Sequence, residues 1–163
     1  MIIKLTMRVY ALTLGFTRQI VVSAAPAITF QALTAEIDQW WTTNCNVITQ
    51  IGDRVTFRFD STYWEMEVVG LSENRLIELL CIEAHHHHQG LPASIEKEWE
   101  GTKLKWELQA VDGGTQIDFL HEGLVSELDC YEICEQGWNF YFTSSLKDYL
   151  ETGKGSPYQN AET

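Results

Sequence analysis

The sequence predicts an α+β domain: one strand, two short helices, an antiparallel run of strands, then one long C-terminal helix. Three observations predict it. Residues 54–69 and 97–121 alternate apolar and polar side chains with the two-residue period of half-buried strands. Those strands follow one another through short turns, which antiparallel pairing permits. After Leu128 the apolar spacing changes to three and four, the period of an amphipathic helix. A sheet with one polar face must hide the other, and the long helix is the element able to cover it.

Each element has its own local reason. "TRQIVVSA" (17–24) is rich in β-branched residues and reads as the first strand. "APAITFQAL" (25–33) suggests a helix with Pro26 in its first turn. "TAEIDQWW" (34–41) suggests a second, with Thr34 as N-cap. In "RVTFRF" (54–59), Val55, Phe57 and Phe59 share one face. In "YWEMEVV" (63–69), Trp64, Met66 and Val68 do the same. "RLIELLCIE" (75–83) is a more continuous apolar strand. "KEWEGTKLKWEL" (97–108) alternates again, with Leu104, Trp106 and Leu108 inward. Trp99 falls on the opposite parity, which a bulge near Gly101 would explain. A turn at Asp112-Gly113-Gly114 leads into "GGTQIDFLH", whose Ile117, Phe119 and His121 share a face. Tyr131, Cys134, Trp138, Phe142, Leu146 and Tyr149 define the helix face, and Gly153 is its expected stop. "SPYQNAET" reads as a frayed tail.

Composition bounds the function. The chain has 163 residues, enough for one domain with a core that needs no staples. Its net charge is −12, from 23 acidic and 11 basic residues, which disfavours nucleic acid and anionic membrane surfaces as partners. No apolar run reaches the length of a membrane span. Cys45, Cys81, Cys130 and Cys134 match no disulfide framework and read as reduced thiols of a cytoplasmic protein. Cys130 and Cys134 share a helix face and form half of a metal site at most, so small buried residues are the preferred reading and no metal or cofactor is expected. The N-terminus carries a weak export pattern, "MIIKLTMR" before an apolar run and "VVSAAP". Arg18 and Gln19 interrupt it, so residues 1–16 are read as a short extension, 17–157 as the domain and 158–163 as the tail.

Several segments resemble a known family. They are "VSAAPAITFQALT" with "WW" behind it, "EWEGTKLKWEL", "GGTQIDFLHEGL" and "GWNFYFTSSLKDYLETGKGSP". Together they are similar to the SRPBCC (START-like, helix-grip) superfamily. Within it the chain most resembles the branch named after activators of the ninety-kilodalton heat-shock-protein ATPase, alongside polyketide cyclase-like proteins. The resemblance covers about residues 17–157. It implies a curved sheet wrapped around the C-terminal helix, with a cavity between them. Members of the superfamily bind apolar small molecules, and some are cyclases or hydrolases.

Candidate site residues follow from face parity and that implied cavity. Phe57, Trp64, Met66, Trp106 and Phe119 lie on the inward sheet face, with Trp138, Tyr141 and Phe142 on the helix. His121 is in phase with Phe119. It is either a weak candidate acid–base group or a satisfied core histidine that orients the turn at Gly123. The four consecutive histidines, His85–His88, read as a strand end and hairpin loop. On extended chain they alternate faces, so at most two converge on one metal. A loop lining the cavity entrance is an intermediate reading. Gly137 inside the helix suggests a close approach to the sheet or a bend that makes room for a ligand. No nucleophile elbow, phosphate loop or zinc-protease motif is present.

The expected function is therefore binding of an apolar or amphipathic small molecule between sheet and helix. A cyclase- or hydrolase-type enzyme using His121 or a cavity carboxylate is the first alternative. A co-chaperone-like interaction module is the second. The ligand, the oligomeric state and the role of residues 1–16 are not encoded in any motif.

Overall fold

The structure, a computed structural model, describes residues 14–161. Most of the extension, and with it most of the export pattern, lies outside the described residues. The first strand starts at Gly15, so the last two residues assigned to the extension belong to the sheet.

Seven strands form one antiparallel sheet: β1 (Gly15–Val22), β2 (Asn44–Cys45), β3 (Arg54–Phe59), β4 (Thr62–Ser72), β5 (Leu76–His85), β6 (Lys103–Val111) and β7 (Gly114–Glu122). Their spatial order is β1-β7-β6-β5-β4-β3-β2. Strands β2 to β7 thus pair with their chain neighbours, and β1 closes onto β7. The inward parities hold. Val55 and Phe57, Trp64, Met66 and Val68, Leu104, Trp106 and Leu108, and Ile117, Phe119 and His121 are all buried. Asp112 and Gly113 make the two-residue hairpin between β6 and β7, with Gly113 at φ 79°. Register shifts between Glu65/Met66 and Val68/Gly70 bend β4 and sharpen the curl of the sheet.

Helix α1 (Pro26–Thr34) follows β1, with proline in its first turn as expected. The second short helix is only a 3₁₀ turn, Ile37–Gln39. Thr34 is the last residue of α1 and not an N-cap; its hydroxyl donates back to the Phe30 carbonyl at 2.8 Å. The strand expected from residue 97 starts at Lys103. Residues 97–102 form a turn after a 3₁₀ segment, Ala93–Lys97, and Gly101 adopts φ 86° there. Trp99 reaches the interior from this turn, which settles its anomalous parity without a bulge in β6.

The C-terminal helix crosses the concave face in three consecutive pieces: α2 (Tyr131–Trp138), a π-helical stretch (Asn139–Leu146) and α3 (Lys147–Thr152). Cys134, Trp138, Phe142 and Leu146 are buried along it. Their uniform spacing of four drifts off one face of a 3.6-residue helix, and the wider π turn brings the stripe back toward the sheet. Gly153 ends the helix in the left-handed region at φ 83°, and its N–H donates to the Tyr149 carbonyl at 2.8 Å.

The tail is tied down, not frayed, as far as it is described. Tyr158 exchanges backbone hydrogen bonds with Trp41 and Thr43, at 2.8 and 3.0 Å. Asn160 donates its amide to Thr42 at 2.9 Å, and the Ala161 N–H donates to Asp60 at 2.7 Å. Trp41, Thr42 and Thr43 in the loop after α1, and Asp60 in the β3–β4 turn, supply these partners. No helix of the described residues is long and apolar enough to cross a membrane.

Candidate functional site

The concave face has two unlike ends. One is filled. Phe119 stacks against Trp106 and Phe142, at centroid distances of 5.1 Å each, and against Trp138 at 4.5 Å. Phe57, Met66, Trp106, Phe119 and Phe142 are all buried, Phe57 against Trp41 at 4.5 Å. They lie on the face that parity assigned them, and none of them lines the pocket at the other end.

His121 belongs to the filled end. It is fully buried. Its Nδ1 accepts the Trp138 indole N–H at 3.0 Å, and its Nε2 lies 3.0 Å from the Thr102 hydroxyl. Thr102 donates its own proton to the Trp99 carbonyl at 2.7 Å. That chain fixes the neutral tautomer with the proton on Nε2. Burial pushes the His121 pKa down to about 3. Both ring nitrogens are occupied by protein, so no proton is left to exchange with a substrate. The junction it supports is tight: Leu124 N–H donates to the His121 carbonyl at 3.2 Å, and Gly123 has φ 93°. A side chain at Gly123 would meet the Thr102 methyl at 2.8 Å.

The other end is open. A pocket of about 530 Å³ lies between α2, the π stretch and the β3–β4 and β5–β6 connections. Eight aromatic rings wall it: Trp41, Phe59, Trp64, Trp99, Trp138, Phe140, Tyr141 and Tyr158. Trp64, Trp138 and Tyr141 are thus the sequence candidates that line it. Trp99 stacks on Trp64 at 4.1 Å and lies 6.0 Å from Trp138. Sequence reasoning missed Trp99 because it was given to a strand, and Tyr158 because it was given to a tail. The polar lining is sparse: Thr62, Gln136 and His86–His88. No carboxylate lines it among the described residues.

The histidine stretch forms the pocket rim. His85 points outward, 3.3 Å from Glu96, and its Nε2 meets that of His87 at 2.9 Å. His87 is held to Thr62 by two hydrogen bonds, at 2.9 and 3.0 Å. His86 alternates inward as a strand residue should, and packs 5.1 Å from Trp64. It is 6% exposed, and its Nδ1 has no hydrogen-bond partner. Burial pushes its pKa down to about 4. The Trp64 indole N–H is likewise buried without a partner. The Trp106 indole N–H in the filled end and the Thr29 and Thr143 hydroxyls are unpaired too, but of these residues only Trp64 and His86 line the pocket.

Gly137 is not explained by a close approach to the sheet. A Cβ there would meet nothing within 4 Å. The residue faces the pocket, and its missing side chain is part of the open volume. Next to it, Cys134 accepts the Trp99 indole N–H at 3.3 Å. The hydrogen bond shared with Cys134, and burial after it, hold the Cys130 thiol protonated, well above its ordinary value.

A family model described as Activator of Hsp90 ATPase homolog 1-like protein matches residues 23–151. Among solved structures, the Aha1 dimer from Colwellia psychrerythraea is 27% identical, with a TM-score of 0.70 over 86% of this chain and 98% of that one. DynU16, a putative protein in the dynemicin biosynthetic locus, shares the fold at 16% identity and a TM-score of 0.71, over 91% of this chain and 51% of its own. CalU16 from Micromonospora echinospora shares it at 12% identity and a TM-score of 0.56, over 78% of this chain and 70% of that one. No curated protein matches the sequence. The curled sheet gripping a C-terminal helix and the match over most of the chain agree: this protein belongs to the family of activator of Hsp90 ATPase homolog 1-like proteins, within the SRPBCC superfamily.

Proposed function

We propose that the protein binds an apolar or amphipathic small molecule in the pocket between the sheet and the C-terminal helix. One observation carries this reading: an aromatic-walled pocket of about 530 Å³ retains unpartnered buried polar atoms on Trp64 and His86. The volume and the ratio of apolar wall to polar anchor suit a small organic ligand. Burial of the ligand against the rings supplies affinity, and the Trp64 N–H and His86 Nδ1 fix its orientation. DynU16, from the dynemicin biosynthetic locus, shares the fold alone.

The alternatives find less support. A cyclase or hydrolase using His121 needs a free imidazole nitrogen, and both are taken. An interaction module needs a broad apolar patch. Among the described residues the exposed large apolar residues are Leu14, Val21, Ile28 and Val69 on separate segments, Val47 and Ile51 in the β2–β3 connection, and Phe140 at the pocket.

The test is titration with the neutral fluorescent probe N-phenylnaphthylamine, on the wild type and on Gly137→Leu. A Cβ at this position meets nothing within 4 Å, and the residue lines the pocket. The expected result is enhanced, blue-shifted emission for the wild type and affinity at least about tenfold weaker for Gly137→Leu (about 1.4 kcal/mol). Equal binding by both proteins, or none by the wild type, would refute the pocket as the site.

A further inference from the structure

A cluster beside the pocket joins His86, whose Nδ1 the reading above gives to the ligand, to two buried sulfurs that the reading does not use. His86 on the β5–β6 connection, Cys130 at the start of α2 and Cys134 one turn later are all buried. The His86 ring and both sulfurs place their ligating atoms within 4.8 Å of one another. We propose that His86, Cys130 and Cys134 form a binding site for a thiophilic divalent transition-metal ion, zinc foremost, whose fourth coordination position opens to the pocket.

Four features support this assignment. The first is the donor set. Two thiolates and one imidazole suit tetrahedral zinc in preference to calcium or magnesium, which require oxygen. The second is spacing. Tetrahedral bonds of about 2.3 Å to sulfur and 2.0 Å to nitrogen place ligand atoms roughly 3.5–3.8 Å apart, so closure costs side-chain movements of about 1 Å or less. The third is the orphaned Nδ1 of His86. It is a buried lone pair or N–H with no protein partner, in a residue only 6% exposed. A metal ion bound through Nδ1 would resolve it without new protein contacts. The fourth is the surrounding support. The Trp99 N–H donates to the Cys134 sulfur at 3.3 Å. The Glu98 carboxylate accepts the Asp129 and Cys130 backbone N–H groups, at 3.0 and 2.9 Å, and so fixes the start of α2. His86 itself is tied by its backbone N–H to the Glu96 carbonyl at 3.1 Å. Outer contacts of this kind orient metal ligands.

Charge also balances. Two thiolates, a neutral imidazole and a divalent ion sum to zero, the state a buried site favours. His86 and Cys134 line the pocket, while Cys130 lies behind them. Three protein ligands with one open position is the arrangement of a zinc site that accepts an exogenous ligand, not that of a closed structural one.

The adjacent surface histidines offer a competing site, so the experiment separates the two. Reduced full-length protein is titrated with Co²⁺ alone, as a spectroscopic stand-in for zinc, and then with Zn²⁺ to displace it. The proposal expects one Co²⁺ per chain, a near-ultraviolet thiolate-to-cobalt charge-transfer band and visible bands of tetrahedral strength. Replacing His85, His87 and His88 together by Asn should leave these bands intact. Cys130→Ser with Cys134→Ser should abolish the charge-transfer band, with folding checked by circular dichroism. His86→Asn should weaken binding at least about tenfold, as loss even of an outer partner does. Absence of the charge-transfer band in the reduced wild type would overturn the site. So would binding that survives the double cysteine change and vanishes with His85, His87 and His88.

Discussion

Two buried histidines flank the stacked pair of Trp64 and Trp99, His86 on Trp64 and His121 on Trp99, and they could hardly be treated more differently. His121 lies in the filled end of the groove, with one nitrogen on the Trp138 indole and the other on the Thr102 hydroxyl. His86 lies at the open end, with Nδ1 buried and unpaired. Burial depresses the pKa of both. A shifted pKa therefore does not separate the two histidines; hydrogen-bond satisfaction does. The saturated histidine is a keystone of the strand-to-helix junction. The unsaturated one is the group for which an added partner is proposed.

The largest expected effect breaks that comparison if it fails. His121→Asn shortens the side chain inside a closed network and leaves Thr102 without its ring partner. It should lower unfolding free energy by about 1–3 kcal/mol in urea titration. His86→Leu, in metal-free buffer, removes an unpaired polar atom instead, and should change stability by no more than about 1 kcal/mol in either direction. Equal losses for the two variants would mean that His86 is as structural as His121.

A smaller effect sharpens the comparison through pH. The folded His121 pKa of about 3 lies below its ordinary 6.5. The neutral ring is what the fold uses, so its contribution is complete above about pH 6.5 and is lost as pH falls toward 3. The slope from this one group is at most about 1.4 kcal/mol per pH unit. Stability measured stepwise between pH 7 and 4 should therefore show the gap between wild type and His121→Asn narrowing as pH falls. A gap independent of pH would contradict the buried neutral histidine.

Much of this was legible in the sequence. Alternation placed Phe57, Met66, Trp106 and Phe119 on the inward face, because side-chain parity is a local property of a strand. Gly153 and the Asp112-Gly113 turn were equally local. What parity does not encode is position along the groove. Those four residues and Phe142 are buried away from the pocket, which Trp64, Trp138 and Tyr141 line. The turn carrying Trp99 was hidden because its residues continue the charged–apolar rhythm of β6. The tail was misread because Asn160 and Tyr158 find partners in the loop after α1, far away in sequence. Likewise the four-residue spacing of Cys130 and Cys134 showed two donors, and only the fold brings His86 to them.

The most direct measurement follows the indole N–H signals of the six tryptophans by NMR, assigned with single Trp→Phe variants, as N-phenylnaphthylamine is added. Trp64 and Trp99 line the open pocket, whereas Trp106 lies in the filled end and Trp40 donates to the Ala32 carbonyl at 2.9 Å. The account predicts that the Trp64 and Trp99 signals move with saturable occupancy while those of Trp40 and Trp106 stay. Movement of Trp106 with Trp64 unmoved, or no movement at all, would contradict it.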